Sequence, residues 1–200
     1  MNPFASRNIR PGAQTFLFPP GTSAETLVAK LAEHHWWGEI VGQHGSGKST
    51  LLESLKPPLE GAGRQLESFA LRAEQVILPR EPKLHPWGPR TLVIVDGYEQ
   101  LTWWQRFRLR STCRRRRAGL LITTHRPQGL PNLWTTSPTA ELAWHVVQRL
   151  QQQAPWQLIT QDDVQHYFAQ NQGDLRETLF SLYDVFERRA AQLDQPESPE

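Results

Sequence analysis

Fold and function are both inferred from one stretch of the sequence, Gly42-Gln43-His44-Gly45-Ser46-Gly47-Lys48-Ser49. This stretch matches the spacing Gly-x-x-x-x-Gly-Lys-Ser in full. It follows residues 36 to 41, Trp-Trp-Gly-Glu-Ile-Val, which predict a buried strand, and it precedes a predicted helix from Lys48 to Leu55. Glycines let backbone N–H groups turn inward around phosphates, and the start of the helix adds partial positive charge. The stretch therefore predicts a phosphate-binding loop, named the phosphate loop below.

The side chains of the phosphate loop predict which groups of a nucleotide it holds. Lys48 is expected to reach the β- and γ-phosphates of ATP, and the Ser49 hydroxyl is expected to bind Mg²⁺. A glycine-rich turn that binds nothing is the alternative, and the flanking strand and helix argue against it. The residues expected to bind ATP are Gly42, Gln43, His44, Gly45, Ser46, Gly47, Lys48, Ser49 and Thr50.

A second motif lies at the end of the clearest strand of the sequence, Thr91 to Val95. The run is apolar, β-branched and continuous, as expected for a central parallel strand. Asp96 follows it directly, and its carboxylate is predicted to hold the same Mg²⁺ as Ser49. The alternative is an aspartate that only caps a turn.

Strands alternate with helices up to residue 137, and only helices are predicted beyond it. This order predicts an α/β fold: a parallel sheet flanked by helices, with a small C-terminal helical subdomain. The first helix is expected to begin at a capping box of Thr22 and Glu25, and the helix after the phosphate loop to end before Lys56-Pro57-Pro58. Residues 72 to 90 predict a polar connection with a short helix. The predicted segments are an extended N-terminal arm (1–21), the nucleotide-binding core (22–137), a helical lid-like subdomain (138–191) and a disordered acidic tail (192–200).

Taken together, residues 36 to 136 resemble the P-loop NTPases of the additional-strand (ASCE) class, and the helical end resembles the lid of AAA+ ATPases. Many members of that class place a glutamate directly after the strand-end aspartate, to polarise the attacking water. Here that position is Gly97. Glu99 is expected either to take over this role or to start the following helix, predicted from Glu99 to Arg114.

The same resemblance implies further residues around the γ-phosphate. The strand Gly119 to Thr124 resembles the one that ends in a polar sensor, so Thr124 or His125 is expected to bond the γ-phosphate or the attacking water. The turn Gly173-Asp174-Leu175-Arg176 resembles the start of the lid helix whose arginine touches the nucleotide, which makes Arg176 a candidate. A loop threonine and histidine, and an arginine paired with its own aspartate, are the alternatives.

The segment Arg106 to Arg117 is rich in arginine and contains no carboxylate. It is predicted to contact a partner, either a nucleic acid or a protein, or to be a solvated basic end of a helix. Net charge is only +2, so no overall field favours one class of partner. An oligomer is compatible with an arginine that reaches into a neighbour's site.

Cys113 is the single cysteine, which excludes a disulfide-stapled scaffold and favours a cytoplasmic location. The sequence predicts no signal peptide and no membrane insertion, because no apolar run approaches about 18 residues.

Three functions are compatible with these motifs. The leading one is a Mg²⁺-dependent ATPase that acts as a nucleotide-driven switch on a partner. The second is a small-molecule or nucleotide kinase, which needs an acceptor pocket. The third is a regulatory module that binds ATP without hydrolysing it, for which Gly97 in place of glutamate is the indication.

Overall fold

The computed structural model describes residues 2–71, 86–152 and 154–193. Most of the predicted polar connection, residues 72–85, and residues 194–200 of the predicted acidic tail lie outside the described residues. The chain divides into two compact units. The sheet unit comprises Phe18–Gln43 and Leu51–Thr136, and the helical unit comprises Met1–Leu17, His44–Thr50 and Ser137–Glu200.

The sheet unit is built on five parallel strands in the order β2-β3-β4-β1-β5. Strands β1, β3 and β4 are almost wholly buried, as their apolar residues predict for central parallel strands. The two edge strands, β2 and β5, are partly exposed. The predicted α/β fold is confirmed. The strands are β1 (Trp37–Gly42), β2 (Gln65–Ala70), β3 (Thr91–Asp96), β4 (Gly119–Thr124) and β5 (Asn132–Thr136).

The register of the sheet brings the ends of three strands to one edge. Val95 of β3 lies beside Ile122 of β4, and Val41 of β1 lies beside Thr124 of β4. Because the strands are parallel, their carboxyl ends share this edge, where α/β proteins commonly bind ligands. The phosphate loop leaves the sheet from the end of β1, and Asp96 lies at the end of β3.

Helix α2, Ala24–Glu33, is capped one residue later than the sequence predicts. Ser23 is the N-cap: its hydroxyl accepts the Thr26 N–H, and the Thr26 hydroxyl accepts the Ser23 N–H. The capping box predicted from Thr22 and Glu25 is therefore wrong. A run of adjacent hydroxyl residues offers two registers, and the chain uses the one with Ser23 in extended conformation.

Helix α3, Lys48–Gly61, runs past the point where the sequence predicts its end. Pro57 and Pro58 lie inside it, so the expected stop at Lys56-Pro57-Pro58 is wrong. Each proline removes one backbone hydrogen bond from the helix. The last turns are stabilised instead by burial, since Leu55 and Leu59 are inaccessible to solvent.

The helix predicted from Glu99 to Arg114 is divided in two. Tyr98–Gln100 forms a separate 3-10 turn, Leu101 is extended, and helix α4, Trp103–Arg116, begins after Thr102. Thr102 caps α4 in a capping box with Gln105. Glu99 therefore lies in the first turn of the 3-10 segment and not in α4.

The helical unit packs its helices around a core that includes Val147, Val164, Leu182 and Phe186. The predicted extended arm contains one helical turn, so an arm without helix is a wrong prediction for these residues. The turn is held because Phe4 is fully buried and meets the Phe186 ring edge-on. The helices of this unit are α1 (Ser6–Ile9), α5 (Ala140–Gln151), α6 (Gln161–Gln170) and α7 (Leu175–Leu193).

The helices α6 and α7 are joined by an ion pair. Arg189 donates to both oxygens of Asp163, at 2.5 and 2.9 Å. Burial raises the pKa of Asp163, but hydrogen bonds from Arg189 and Thr160 outweigh it and lower the pKa to about 2. In the described part of the chain, no helix has both the length and the apolar character needed to cross a membrane.

Candidate nucleotide site

The phosphate loop bends through two glycines in the left-handed region, Gly45 with φ +65° and Gly47 with φ +90°. Only glycine adopts this backbone without strain. Helix α3 begins at Lys48, directly after the bend, so its first N–H groups lie at the loop. Lys48 and Ser46 are buried, whereas Gln43 and His44 are exposed. The local backbone is thus the one that phosphate binding requires.

The start of α7 lies against the phosphate loop within the helical unit. His44 Nδ1 is 3.0 Å from Asp174 Oδ2, and a Cβ atom at Gly45 would overlap the Asp174 carboxylate. The contact is a second constraint that requires glycine at position 45, because any side chain there would displace Asp174.

Asp174 also begins α7. Its Oδ1 accepts the Glu177 N–H at 3.0 Å, and its backbone oxygen accepts the Thr178 N–H. Burial raises the pKa of Asp174, but the hydrogen bonds from the Glu177 N–H and from His44 outweigh it, and the pKa is lowered. The carboxylate is held in its charged form between a helix N-terminus and an imidazole.

The predicted lid arginine, Arg176, is exposed on α7, and its guanidinium lies 5.6 Å from the centre of the Phe180 ring. The residue of this turn that touches the phosphate loop is Asp174. Sequence reasoning placed the functional contact on the arginine and missed the aspartate. The available signal was an aspartate directly after a glycine at the start of a predicted helix, which is a typical N-cap position.

In the sheet unit, Asp96 is held by a residue of the neighbouring strand. The Thr123 hydroxyl donates to Asp96 Oδ1 at 2.5 Å and accepts the Gly97 N–H at 2.9 Å. Thr123 is buried at the end of β4. These bonds fix the orientation of the carboxylate at the carboxyl edge of the sheet. Thr123 was missed from sequence, because only the pairing of β3 with β4 brings it beside Asp96.

Gly97 has φ +85°, and a Cβ atom there would lie 2.6 Å from the carbonyl oxygen of Leu71. Both the backbone conformation and the close approach of another backbone segment exclude a side chain. The glutamate that the resembling class often carries at this position has no room here.

Glu99 and His125, two of the predicted site residues, lie in contact. His125 Nε2 is 3.2 Å from Glu99 Oε1. The other carboxylate oxygen, Glu99 Oε2, is buried and has no hydrogen-bond partner among the described residues. A buried carboxylate oxygen normally has a hydrogen-bond donor, so this atom is an exception among the buried polar atoms of the described residues.

Thr124 is fully buried, and its hydroxyl donates to the Arg126 carbonyl oxygen at 3.0 Å. The hydroxyl proton therefore stabilises the turn after β4. Of the two residues predicted from this strand as sensors, His125 contacts Glu99, whereas Thr124 holds the local backbone.

The donors present fit magnesium. Mg²⁺ prefers oxygen ligands and keeps several waters, and Ser49 and Asp96 both offer oxygen. Throughout the described ranges no group of three or more His, Cys, Asp and Glu side chains is arranged to hold a metal.

The arginine-rich segment of α4 divides into two faces. Arg106 donates to the Gln128 side chain and to the Glu99 carbonyl oxygen, at 2.7 and 2.9 Å. Arg110 donates to the Tyr98 hydroxyl and to the Gln128 carbonyl oxygen, at 2.9 and 2.8 Å. These two arginines tie α4 to the turn that carries Glu99 and to the loop after β4. Only the other arginines of the segment face outward.

Comparison with solved structures identifies the fold. The chain is similar to Cdc6p from Pyrobaculum aerophilum (TM-score 0.60, 13% identity, covering 90% of this chain and 65% of that one). It is also similar to the replication initiator DnaA bound to AMPPCP and single-stranded DNA (0.55, 12%, 86% and 63%) and to a DNA replication initiation factor (0.54, 11%, 88% and 70%). This chain spans about two thirds of the length of these proteins.

The chain therefore shares the fold of these structures, an α/β fold with a parallel sheet flanked by helices, which is the fold class that its motifs predict. No protein-family model matches the sequence, and no protein of curated function matches it. At 11 to 13% identity the likeness describes the fold, and the function has to be argued from the site.

Proposed function

We propose that this protein binds ATP with Mg²⁺ and hydrolyses it slowly, as a nucleotide-driven switch that acts on a partner. The observation that carries the proposal is the pair Thr123 and Asp96. A strand-end carboxylate, fixed by a buried hydroxyl at the carboxyl edge of the sheet, occurs together with a complete phosphate loop after β1. Structures of DnaA with bound AMPPCP share the fold, which supports ATP as the nucleotide.

The residues of the proposed site act mainly by position and charge. The N–H groups of Gly45, Ser46 and Gly47 and the Lys48 ammonium would hold the phosphates. Ser49 and Asp96 would hold Mg²⁺, which neutralises charge on the phosphates when it is bound.

Hydrolysis requires a group that orients and deprotonates water, and Glu99 is the candidate. Its buried Oε2 lacks a partner among the residues described, while Oε1 is held by His125. The carboxylate is thus held through one oxygen, and its other oxygen is buried. His125 acts as a positioning residue for Glu99 in this proposal.

Nucleotide binding is tested by calorimetric titration of the purified chain with Mg-ATP. Lys48→Ala should weaken binding about 30-fold or more, because hydrogen bonds to charged groups contribute about 1.5–3 kcal/mol each. Lys56→Ala is the matched control, since Lys56 pairs with Glu53 on α3 outside the phosphate loop. Absence of ATP binding, or equal affinity in the Lys48 and Lys56 variants, would contradict the proposal.

Hydrolysis is tested by single-turnover measurements with the same protein. Glu99→Gln should slow the chemical step by about 10²-fold with little change in ATP affinity, as expected for loss of a general base. Single-turnover rates that are unaffected by this change would leave Glu99 without a role in hydrolysis.

A second function is favoured by Gly97: a module that binds ATP without hydrolysing it. The close approach of the Leu71 carbonyl keeps the usual catalytic glutamate out of this position. Bound ATP that stays intact over hours in the single-turnover experiment would establish this function in place of the first.

The partner of the proposed switch is a nucleic acid or a protein. The DnaA structure with single-stranded DNA supports the nucleic acid, since it shares the fold of this chain. A cytoplasmic location and assembly into oligomers stay predictions of the sequence.

A further inference from the structure

The outer face of α4 exposes three large aromatic side chains. Trp103, Trp104 and Phe107 are 76%, 52% and 58% exposed. The rings of Trp104 and Phe107 are stacked at 22°, with centroids 5.7 Å apart, and Trp103 meets Trp104 edge-on. Exposed aromatic groups that adjoin one another mark interaction sites more often than isolated ones do. We name this surface, together with Arg108 and Arg115, the aromatic-arginine face.

The face is presented on a rigid support. Its helix is capped by Thr102, and on the opposite side Leu109 and Cys113 are buried in the core of the sheet unit. Arg106 and Arg110 fasten the same side through their hydrogen bonds to Gln128. The aromatic rings are therefore held in place before any partner binds, which lowers the entropy cost of binding.

The charged side chains of the aromatic-arginine face are all positive. Phe107, Arg108, Ser111 and Arg115 follow Trp104 by 3, 4, 7 and 11 residues, which places them on one side of the helix. Arg108 and Arg115 are exposed and lie about 10 Å apart along the axis. The chain contains no Asp or Glu from Gln100 to Ala140. The occupant of this face therefore has negative charge and flat apolar groups close together.

We infer that the aromatic-arginine face binds single-stranded nucleic acid, with bases stacked on the rings and phosphates paired with Arg108 and Arg115. Unpaired bases expose flat π-faces next to a regular series of phosphates, and this combination satisfies both demands of the face. A duplex hides its base faces, and a second copy of the chain would bring like charges together. The inference deepens the proposed function, because it names the partner of the switch.

The test is fluorescence anisotropy of a labelled 20-nucleotide oligo(dT), without nucleotide, in about 50 mM salt. A duplex of the same length and poly-glutamate are measured as competitors. Oligo(dT) should bind, and unlabelled single strands should displace it better than the duplex or poly-glutamate. Preferential binding of the duplex would overturn the inference and indicate contacts to the phosphate backbone alone. Preferential binding of poly-glutamate would overturn it and indicate an acidic protein partner.

Two double variants separate stacking from charge. Trp104→Ala with Phe107→Ala should weaken binding of oligo(dT) at least about tenfold, since stacking on one aromatic side chain contributes about 1–3 kcal/mol per base. Arg108→Ala with Arg115→Ala should weaken it and reduce the slope of log affinity against log salt by about 1.4, or 0.7 per phosphate. Trp156→Ala and Arg188→Ala, in the helical unit, are matched controls that should bind normally. All substitutions are of exposed side chains, so thermal unfolding should be unchanged.

Failure of this inference is distinguishable from failure of ATP binding. Lys48→Ala should still bind oligo(dT) in the absence of nucleotide, because α4 lies outside the phosphate loop. ATP binding without oligo(dT) binding overturns the aromatic-arginine face and leaves the ATP site intact. An equal loss of oligo(dT) affinity in the Trp104→Ala, Phe107→Ala variant and in the Trp156→Ala control would also overturn the inference.

Discussion

Asp96 and Asp174 are carboxylates at two of the sequence motifs, and they are held in different ways. Asp96 lies in the sheet unit and accepts the hydroxyl of Thr123, which is 1% exposed. Asp174 lies in the helical unit and pairs with His44, whose side chain is 67% exposed. The first contact is buried between two strands, and the second lies at the surface between a loop and the start of a helix.

The difference concerns what can disturb each contact. A partly buried hydrogen bond from a threonine is less screened by salt than a contact at the surface. The exposed contact between His44 and Asp174 is screened more strongly. The sheet-unit carboxylate is therefore suited to hold a metal in a constant geometry, and the contact at α7 is suited to change with conditions. Three substitutions test this contrast.

The largest effect is expected for Thr123→Val. It removes the hydroxyl that bonds both Asp96 Oδ1 and the Gly97 N–H, in a partly buried place. The free energy of unfolding should fall by about 2–4 kcal/mol, measured with urea. Thr123→Ser is the matched control, because it keeps the hydroxyl and loses only a methyl group, at about 1 kcal/mol. Equal losses in the two variants would show that the hydroxyl does not hold Asp96.

An intermediate effect is expected for Gly45→Ala. The left-handed backbone costs about 1–2 kcal/mol for alanine, and the overlap with Asp174 adds a further cost. Gly63→Ala is the control, since Gly63 has φ +77° and open space around it. Unfolding should therefore be easier in the Gly45 variant than in the Gly63 variant by about 1 kcal/mol or more. Adding Asp174→Ala to the Gly45 variant should remove this excess, and an unchanged excess would contradict the contact.

The smallest effect is expected for His44→Gln, at less than about 1 kcal/mol, because the pair is exposed. Its clearest readout is the pKa of Asp174, measured by NMR of side-chain carboxyls. Since His44 contributes to the lowering of this pKa, the pKa should rise toward the ordinary value of 3.8 in the variant. Asp163, lowered to about 2 and paired with Arg189, should keep its pKa.

The sign of the pH dependence of folding stability follows from the lowered pKa values of Asp174 and Asp163. A carboxyl with a lowered pKa in the folded state stabilises the fold above its ordinary pKa, and this stabilisation is lost as pH falls through the lowered pKa. The loss should therefore occur below about pH 4, and for Asp163 it should extend to about pH 2. Stability that instead declined on raising the pH from 4 to 6 would contradict the role of these pairs.

Sequence reasoning identified the fold because its signals are local. A phosphate loop of fixed spacing and the apolar strand before Asp96 specify an α/β core without knowledge of any distant contact. The bends at Gly45 and Gly47 also follow from residue type alone. What could be predicted was therefore the set of strands and the bend of the phosphate loop.

The wrong and missed predictions concern features that depend on contacts between residues far apart in the sequence. Thr123 is one hydroxyl residue among neighbours, and only the pairing of β3 with β4 brings it to Asp96. Burial of Leu59 carries α3 through two prolines that would end an isolated helix. The inner and outer arginines of α4 are identical in chemistry, so Arg110 and Arg115 differ only by what lies beside them in the fold.

The crowding around Gly97 has a consequence for engineering and for variation of this sequence. A faster hydrolase cannot be made from this chain by one codon change that introduces glutamate after Asp96. That change requires the backbone to leave the left-handed region and the segment at Leu71 to move away together. Under the proposed function, a gain in turnover by small steps has to come through Glu99 and His125, or from a group that another molecule supplies.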